Sequence, residues 1–281
     1  MPKRTGKEQI LAYIQRLRLV DDVFMNAFFQ HSAESVQLML RIIMDKPELV
    51  VQEVHTQKQL PNPGRRAATL DVLATDADGR LINVEVQLDP RHAGVQRARF
   101  YASLIDTRAL HEGEDFSLLP EAWVIFITES DYLGGGQPLY HFVRREEKEG
   151  GRNLNDGSHI VYVNGANRAA GTALGDLMHD LFCRDPAQMR LAQLAQAVQR
   201  YKTSEEGVRK MSSVMEEFRE EVREEALTEG RAEGRAEGRE ALRGAARQLL
   251  RMEGFTPEVV ARITSLSVDE VQRLGAEAHG A

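Results

Sequence analysis

Two short strands separated by a turn constrain the fold of this chain most strongly. Residues 68–75 and 80–88 both alternate apolar with polar side chains, and Ala77-Asp78-Gly79 lies between them. Side chains alternate across a strand, so each strand presents one continuous apolar face. A three-residue loop with Gly79 in the left-handed conformation fits this spacing. The segment therefore predicts a β-hairpin with one buried face.

The opposite face of this hairpin carries acidic side chains. With the three-residue loop, the pairing places Asp71 directly across from Glu85. Facing carboxylates repel each other, and a divalent cation between them would remove the conflict. Mg²⁺ and Mn²⁺ prefer oxygen ligands of this kind. Gln87 points the same way and could hydrogen-bond a water or a phosphate oxygen.

Two alternatives to this metal site stay open at the level of the sequence. The acids could simply form the solvated face of an antiparallel hairpin, which is a common arrangement. A two-residue Asp78-Gly79 turn would instead place Asp71 across from Val86.

The remaining apolar patterns predict the order of the other elements. We expect helices over residues 21–44, 91–112, 172–183 and 187–202, and strands over 49–55, 122–128 and 160–163. The nearly continuous apolar run at 122–128 is typical of a fully buried strand. This order predicts a mixed α/β domain with one central sheet, and it does not follow a strict βαβ repeat.

Composition narrows the class of protein further. The chain has 281 residues and a formal net charge of −7, and Cys183 is its single cysteine, which excludes an intramolecular disulfide framework. No apolar run approaches the roughly 18 residues that a membrane-spanning helix needs. The basic start at 1–4 lacks the apolar stretch of a secretory signal, so we expect a cytoplasmic protein without membrane contact.

The chain changes character at about residue 203. The next segment, 204–240, combines an amphipathic helical pattern with a four-residue Glu-Gly-Arg-Ala repeat that starts at Glu229, Glu233 and Glu237. Like charges in this repeat lie four apart on a helix, and its glycines weaken the helix. The repeat could be a flexible linker, could pair with a second helix, or could place its arginines beside DNA.

The last segment, 241–281, predicts a small helical tail that resembles a helix-turn-helix. A first helix at 242–252 is followed by one that starts at Thr256-Pro257 and one that starts at the Ser267–Glu270 capping box. The acids at the start of the third helix favour dimerisation over contact with phosphate. We therefore predict three regions: a domain over 1–203, a charged linker over 204–240 and this tail, with a homo-oligomer formed through the C-terminal helices.

A series of motifs in this order resembles a known family. Asp71, a turn and Glu85-x-Gln87 resemble the PD-(D/E)XK nuclease motif in its E-x-Q variant. The chain is similar to the recombination-promoting nucleases, also called PD-(D/E)XK nuclease family transposases, over most of residues 20–220. The matching segments are Asp22–Met25, Leu70–Ala74, Gly79–Gln87, Arg97–Asp106, Val124–Glu129 and Asp156–Gly165.

The resemblance implies a restriction-endonuclease-like α/β core and a Mg²⁺-dependent DNA endonuclease associated with recombination or mobile elements. It implies that Asp71 and Glu85 hold Mg²⁺ or Mn²⁺ and that Gln87 positions the attacking water. Gln87 stands where the motif usually has a lysine, and it cannot supply a positive charge. Asp22 or Glu34 on the first helix could complete the metal shell, although the favoured interpretation is helix capping for Asp22 and a solvated side chain for Glu34.

Four further residues are candidates for DNA contact. Arg97 and Tyr101 lie four apart on one helix face and could contact phosphate, or they could serve packing. Arg65 and Arg66 precede the hairpin and could hold the DNA backbone, or they could belong to a plain surface loop. Two other functions compete with the nuclease: a nuclease-fold module that binds DNA or protein without cleavage, and an oligomerisation protein.

Overall fold

The computed structural model describes residues 11–62, 64–211, 213–214, 242–246, 249–250 and 256–279, the last five without their side chains. The chain divides into two compact units, one up to residue 215 and one from residue 216 onward. The first unit is built on a mixed sheet flanked by helices, which confirms the predicted α/β fold class.

The sheet of the first unit has the strand order β1-β2-β3-β4-β6-β5. Its strands are β1 (Val51–Leu60), β2 (Ala68–Asp76), β3 (Leu81–Gln87), β4 (Ala122–Thr128), β5 (Leu139–Phe142) and β6 (Ser158–Asn164). The β3–β4 and β4–β6 pairs are parallel, and the other three pairs are antiparallel. The helices are α1 (Asp22–Phe29), α2 (Ala33–Met44), α3 (Val95–Ala109), α4 (Ala173–Phe182) and α5 (Ala192–Thr203).

The β2–β3 hairpin has the predicted three-residue turn. Gly79 has a φ of 80°, and its N–H donates to the Asp76 carbonyl at 3.0 Å. The pairing of Val72 with Val84 is the predicted register. The alternative two-residue turn is therefore excluded. Glycine fits this turn because a Cβ would be strained at such a φ.

Helices cover both faces of the sheet. The side chains of Val84 and Ile125 point to one face, where they join a core formed with α1, α2, α4 and α5. Val124 and Phe126 point to the other face and pack with Tyr101 and neighbouring residues of α3. Since α3 connects the parallel strands β3 and β4, it crosses the same face that carries the polar side chains of β3.

Three helices differ from the prediction. The helix expected over 187–202 begins only at Ala192, because Pro186–Gln188 form a separate 3₁₀ turn capped by Asp185. The helix expected over 21–44 is two helices, because Ser32 leaves helical geometry with a φ of −137° and a ψ of 63°. The helix expected over 91–112 begins only at Val95, because Pro90–His92 form a separate 3₁₀ turn capped by Asp89. In these cases the apolar pattern continues across a local change of backbone geometry, so the periodicity alone did not mark the break.

Two strands also differ. Strand β1 runs to Leu60, whereas the apolar pattern predicted an end at His55. Strand β5 was not predicted at all, because Leu139–Phe142 is a four-residue edge strand without a clear alternation.

The second unit contains helical residues 242–246, α6 (Pro257–Thr264) and α7 (Val268–His279). They enclose a small core of Ala246, Val260, Ala261, Leu266, Val271 and Leu274. Ser267 Oγ accepts a hydrogen bond from the Glu270 N–H at 3.2 Å, which supports the predicted capping box. The Glu-Gly-Arg-Ala repeat lies outside the described residues, so its role and the predicted boundaries at 203 and 240 stay predictions.

No helix in the described ranges is both long and apolar enough to cross a membrane.

Candidate active site

The polar face of the β2–β3 hairpin brings Asp71 and Glu85 together. Regular pairing ends at Val72 and Val84, and the next two residues are these two acids. The Val86 N–H donates to Asp71 Oδ2 at 3.0 Å, and the Asp71 N–H donates to Glu85 Oε1 at 3.2 Å. The carboxylates thus replace backbone carbonyls as acceptors at the point where the two strands separate.

Two amide side chains hold these carboxylates from either side. Asn83 is fully buried, and its Nδ2 donates to Glu85 Oε1 at 3.0 Å. Gln57 on β1 lies opposite Asp71 in the sheet register, and its side chain favours the ionised Asp71 carboxylate, which lowers the pKa of Asp71. Asn83 Oδ1 has no partner among the described residues.

A cationic side chain reaches the pair from α3. Arg97 Nη2 lies 3.8 Å from Glu85 Oε2, and Arg97 Nε donates to Tyr101 Oη at 2.7 Å. The Arg97 guanidinium also lies 5.1 Å from the centre of the Tyr101 ring, within cation–π range. The predicted i, i+4 spacing of these residues therefore fixes the arginine beside the acids.

Gln87 and Asp22 border the same place. Gln87 Nε2 lies 3.5 Å from Glu85 Oε2, which is a long contact that leaves the amide available for another partner. Asp22 at the start of α1 is close enough for its charge to raise the pKa of Asp71. Its neighbour Asp21 occupies the N-cap position and is bound by Arg18.

Burial and the neighbouring like charge raise the pKa of both acids. Burial raises the pKa of Asp71 to about 6, against the opposing effects of the Val86 N–H, Arg97 and Gln57. Burial, followed by the charge of Asp71, raises the pKa of Glu85 well above its usual range. Two neighbouring carboxylates repel each other when both are ionised, so the pair retains a proton more readily than isolated acids do.

The donor set suits a hard divalent cation. Mg²⁺ usually binds through one or two carboxylates and completes its shell with waters and phosphate oxygens. Asp71 and Glu85 supply the two carboxylates, and a divalent ion would offset the repulsion that their pKa shifts express. No group of three or more histidine, cysteine or acidic side chains in the described part of the chain is arranged to hold a metal. A bound ion would therefore depend on water or substrate for its remaining ligands.

Three of the residues singled out in the sequence do not reach the pair. Arg65 and Arg66 lie on the exposed β1–β2 connection, at the end of the sheet where β2 begins and β3 ends, and no described contact joins them to the acids. Glu34 is exposed in the first turn of α2, also without a described contact to Asp71 or Glu85.

Two residues of the site were not predicted. Asn83 follows from the alternation in β3, since it shares a face with Glu85, and its amide is the usual partner for a buried carboxylate. Gln57 has no such signal, because its position depends on the pairing of β1 with β2, which the sequence pattern did not specify.

Comparison with known proteins identifies one family. Residues 24–245 match the family described as PD-(D/E)XK nuclease family transposase. The match includes the hairpin, the acidic pair and α3. Neither the curated proteins nor the solved structures contain a significant match to this chain.

Proposed function

This chain belongs to the PD-(D/E)XK nuclease family transposases, and on that basis we propose that it is a metal-dependent endonuclease that hydrolyses phosphodiester bonds in DNA. The facing carboxylates of Asp71 and Glu85 are the observation that carries this proposal. The family membership supports a role in the recombination or transposition of mobile elements. A DNA substrate and the single cysteine agree with the predicted cytoplasmic location.

Asp71 and Glu85 would hold the cation, Mg²⁺ or Mn²⁺, with Asp22 as a third acid near the pair. The cation would supply Lewis acidity, lowering the pKa of the attacking water and offsetting the charge of the phosphate. The backbone N–H of Val86 and the amide of Asn83 fix one oxygen of each carboxylate, so the acids are oriented before any ligand arrives.

Gln87 would orient the water rather than activate it. Its amide carries no charge and offers both a donor and an acceptor. The 3.5 Å contact to Glu85 Oε2 places it beside the acids without a strong competing bond.

Arg97 would supply the positive charge that Gln87 lacks. Its guanidinium is held by Tyr101 and lies next to Glu85, where it can face a phosphate oxygen on the substrate. A planar guanidinium suits phosphate, and a fixed cation costs little reorganisation when charge develops in the transition state. Tyr101 would act through Arg97, because its hydroxyl accepts the arginine N–H.

Cleavage of supercoiled plasmid with Mg²⁺ or Mn²⁺ tests the proposal. Wild type should cleave, whereas Asp71→Ala and Glu85→Gln should lose activity and Glu48→Gln, at an exposed carboxylate before β1, should keep it. Activity that survives Asp71→Ala would reject the site.

A second candidate function rests on Gln87. A site without the lysine of the motif could bind DNA without cutting it. Wild-type protein that shifts DNA in a binding assay but cleaves neither plasmid nor single strands with either metal would favour this binding module.

A homo-oligomer formed through the C-terminal helices is proposed in either case, and a monomer mass that does not change with concentration would reject it.

A further inference from the structure

Gln57 is the one site residue that lies on β1, the edge strand beside the hairpin. The pairs Thr56 with Val72 and Lys58 with Leu70 flank it, so Gln57 stands directly opposite Asp71. Counted from the edge strand, the first three positions of this sheet row are therefore an amide on β1, a carboxylate on β2 and a carboxylate on β3. The row places the Gln57 side chain on the side of Asp71 that faces away from Glu85.

The backbone of Gln57 is strained for a strand residue. Its φ is 50°, which is the left-handed region, although the register with β2 is unchanged on both sides of it. A residue other than glycine is uncommon in this region, because its Cβ crowds the neighbouring carbonyl oxygen. Strain of this kind persists only where the surrounding structure compensates for it, and such positions concentrate at functional sites.

The neighbouring residue ties this part of β1 to α1. Thr56 Oγ1 donates to Asn26 Oδ1, and Asn26 lies one turn after Asp22. The strained residue is thus anchored next to the helix that carries the third acid. This anchoring explains how the left-handed conformation is maintained at position 57.

We propose that Gln57 is a positioning residue for Asp71: its left-handed backbone on β1 turns the amide toward the carboxylate and fixes the orientation that binds a cation. The expected effect of Gln57 on cation binding rests on the proposed function. The placement of Gln57 opposite Asp71 does not depend on a metal. Partners that orient metal ligands in this way typically change metal affinity by about 10–100-fold when removed.

A double-mutant cycle in thermal unfolding tests the contact without metal. Gln57→Leu should shift the unfolding midpoint by a different amount in wild type than in the Asp71→Ala background, because the two residues lie opposite each other and the amide is proposed to hold the carboxylate. The matched control is Gln59→Leu, an exposed glutamine on the same strand, whose shift should be equal in both backgrounds. Equal shifts for Gln57→Leu would overturn the proposal.

A glycine–leucine comparison tests the strain. Gln57→Gly should be more stable than Gln57→Leu, because glycine adopts the left-handed region without cost. At position 59, in ordinary strand geometry, the order should reverse, with Gln59→Gly less stable than Gln59→Leu. The same order at both positions would contradict the left-handed conformation on which the proposal depends.

Calorimetric titration with Mn²⁺ tests the consequence. Both Gln57 variants should bind Mn²⁺ about 10-fold more weakly than wild type, Gln59→Leu should bind like wild type, and Asp71→Ala should not bind. Wild-type affinity in both Gln57 variants would reduce Gln57 to a structural contact and overturn the proposal. If wild type itself binds no Mn²⁺, the proposed function fails, and the double-mutant cycle still decides whether Gln57 positions Asp71.

Discussion

Asp71 and Glu85 are each bound by the backbone of the hairpin rather than by each other. Asp71 Oδ2 accepts the Val86 N–H, while the Asp71 N–H donates to Glu85 Oε1. The two carboxylates are therefore held close enough for the charge of Asp71 to raise the pKa of Glu85. The sheet keeps this unfavourable arrangement in place, and the predictions below follow from it.

Asp71→Asn should stabilise the metal-free protein near neutral pH. Because the pKa of Asp71 is raised from 3.8 to about 6 in the folded state, its contribution to stability is complete below the unfolded pKa and is lost as pH rises from about 4 through about 6. An asparagine keeps an acceptor for the Val86 N–H without ionising. We expect a gain of up to about 3 kcal/mol at pH 7.5 that vanishes below pH 4. Urea unfolding in EDTA measures it, and a gain that is equal at both pH values would contradict the explanation.

Arg97→Gln should lower kcat about 100-fold with a smaller change in KM. The reason is that the cation is proposed to act on charge that develops in the transition state. Arg97→Lys should fall between wild type and Arg97→Gln, because lysine keeps the charge but cannot reproduce the fixed fork that bonds Tyr101. Steady-state plasmid cleavage over a range of DNA concentrations measures kcat and KM. Arg99→Gln, at an exposed arginine of α3, is the control and should match wild type.

Asn83→Leu should lower activity while leaving the free energy of unfolding nearly unchanged. The Asn83 side chain is fully buried, and its Oδ1 has no partner among the described residues, so an apolar side chain of similar volume removes an unsatisfied group. It also removes the donor that orients Glu85. We expect a free energy of unfolding within about 1 kcal/mol of wild type and a loss of activity of about 10-fold or more. An Asn83→Leu variant that is strongly destabilised, but that cleaves DNA at the wild-type rate under conditions where it is folded, would refute this role.

Lys202→Met should destabilise the first unit strongly. Lys202 is almost completely buried, and its ammonium donates to the Leu17 and Arg184 carbonyls at 2.7 Å each. Methionine fills similar space but leaves these carbonyls without a donor, which costs about 3 kcal/mol in total. Urea unfolding measures the loss. Lys210→Met, at a partly exposed lysine paired with Glu206, should cost less than about 1 kcal/mol.

The acidic pair could be predicted from the sequence because all its determinants are local. Strand alternation assigned Asp71 and Glu85 to one face, and the position of Gly79 fixed the turn and therefore the register. The buried run of β4 was identified with its correct bounds for a similar reason, since a continuous apolar segment between turns indicates a central strand.

The remaining parts of the site depend on contacts between segments that are distant in the chain. The position of Gln57 follows from the pairing of β1 with β2 and from a left-handed φ, neither of which an apolar pattern encodes. The break between α1 and α2 follows from the non-helical backbone of Ser32, although the apolar periodicity continues through it. Glu34 could not be separated from Asp22 as a third acid until the structure placed it in an exposed turn.

The crossover from β3 through α3 to β4 has a consequence for how the site assembles during folding. The acidic pair, Gln87, Arg97 and Tyr101 all lie within residues 71–101. Contacts between residues that are close in the sequence lose the least loop-closure entropy, so they tend to form first. The hairpin and the helix after it can therefore fold as an early nucleus that already contains the charged groups. Asp22 and Gln57 would join later, when the more distant segments dock.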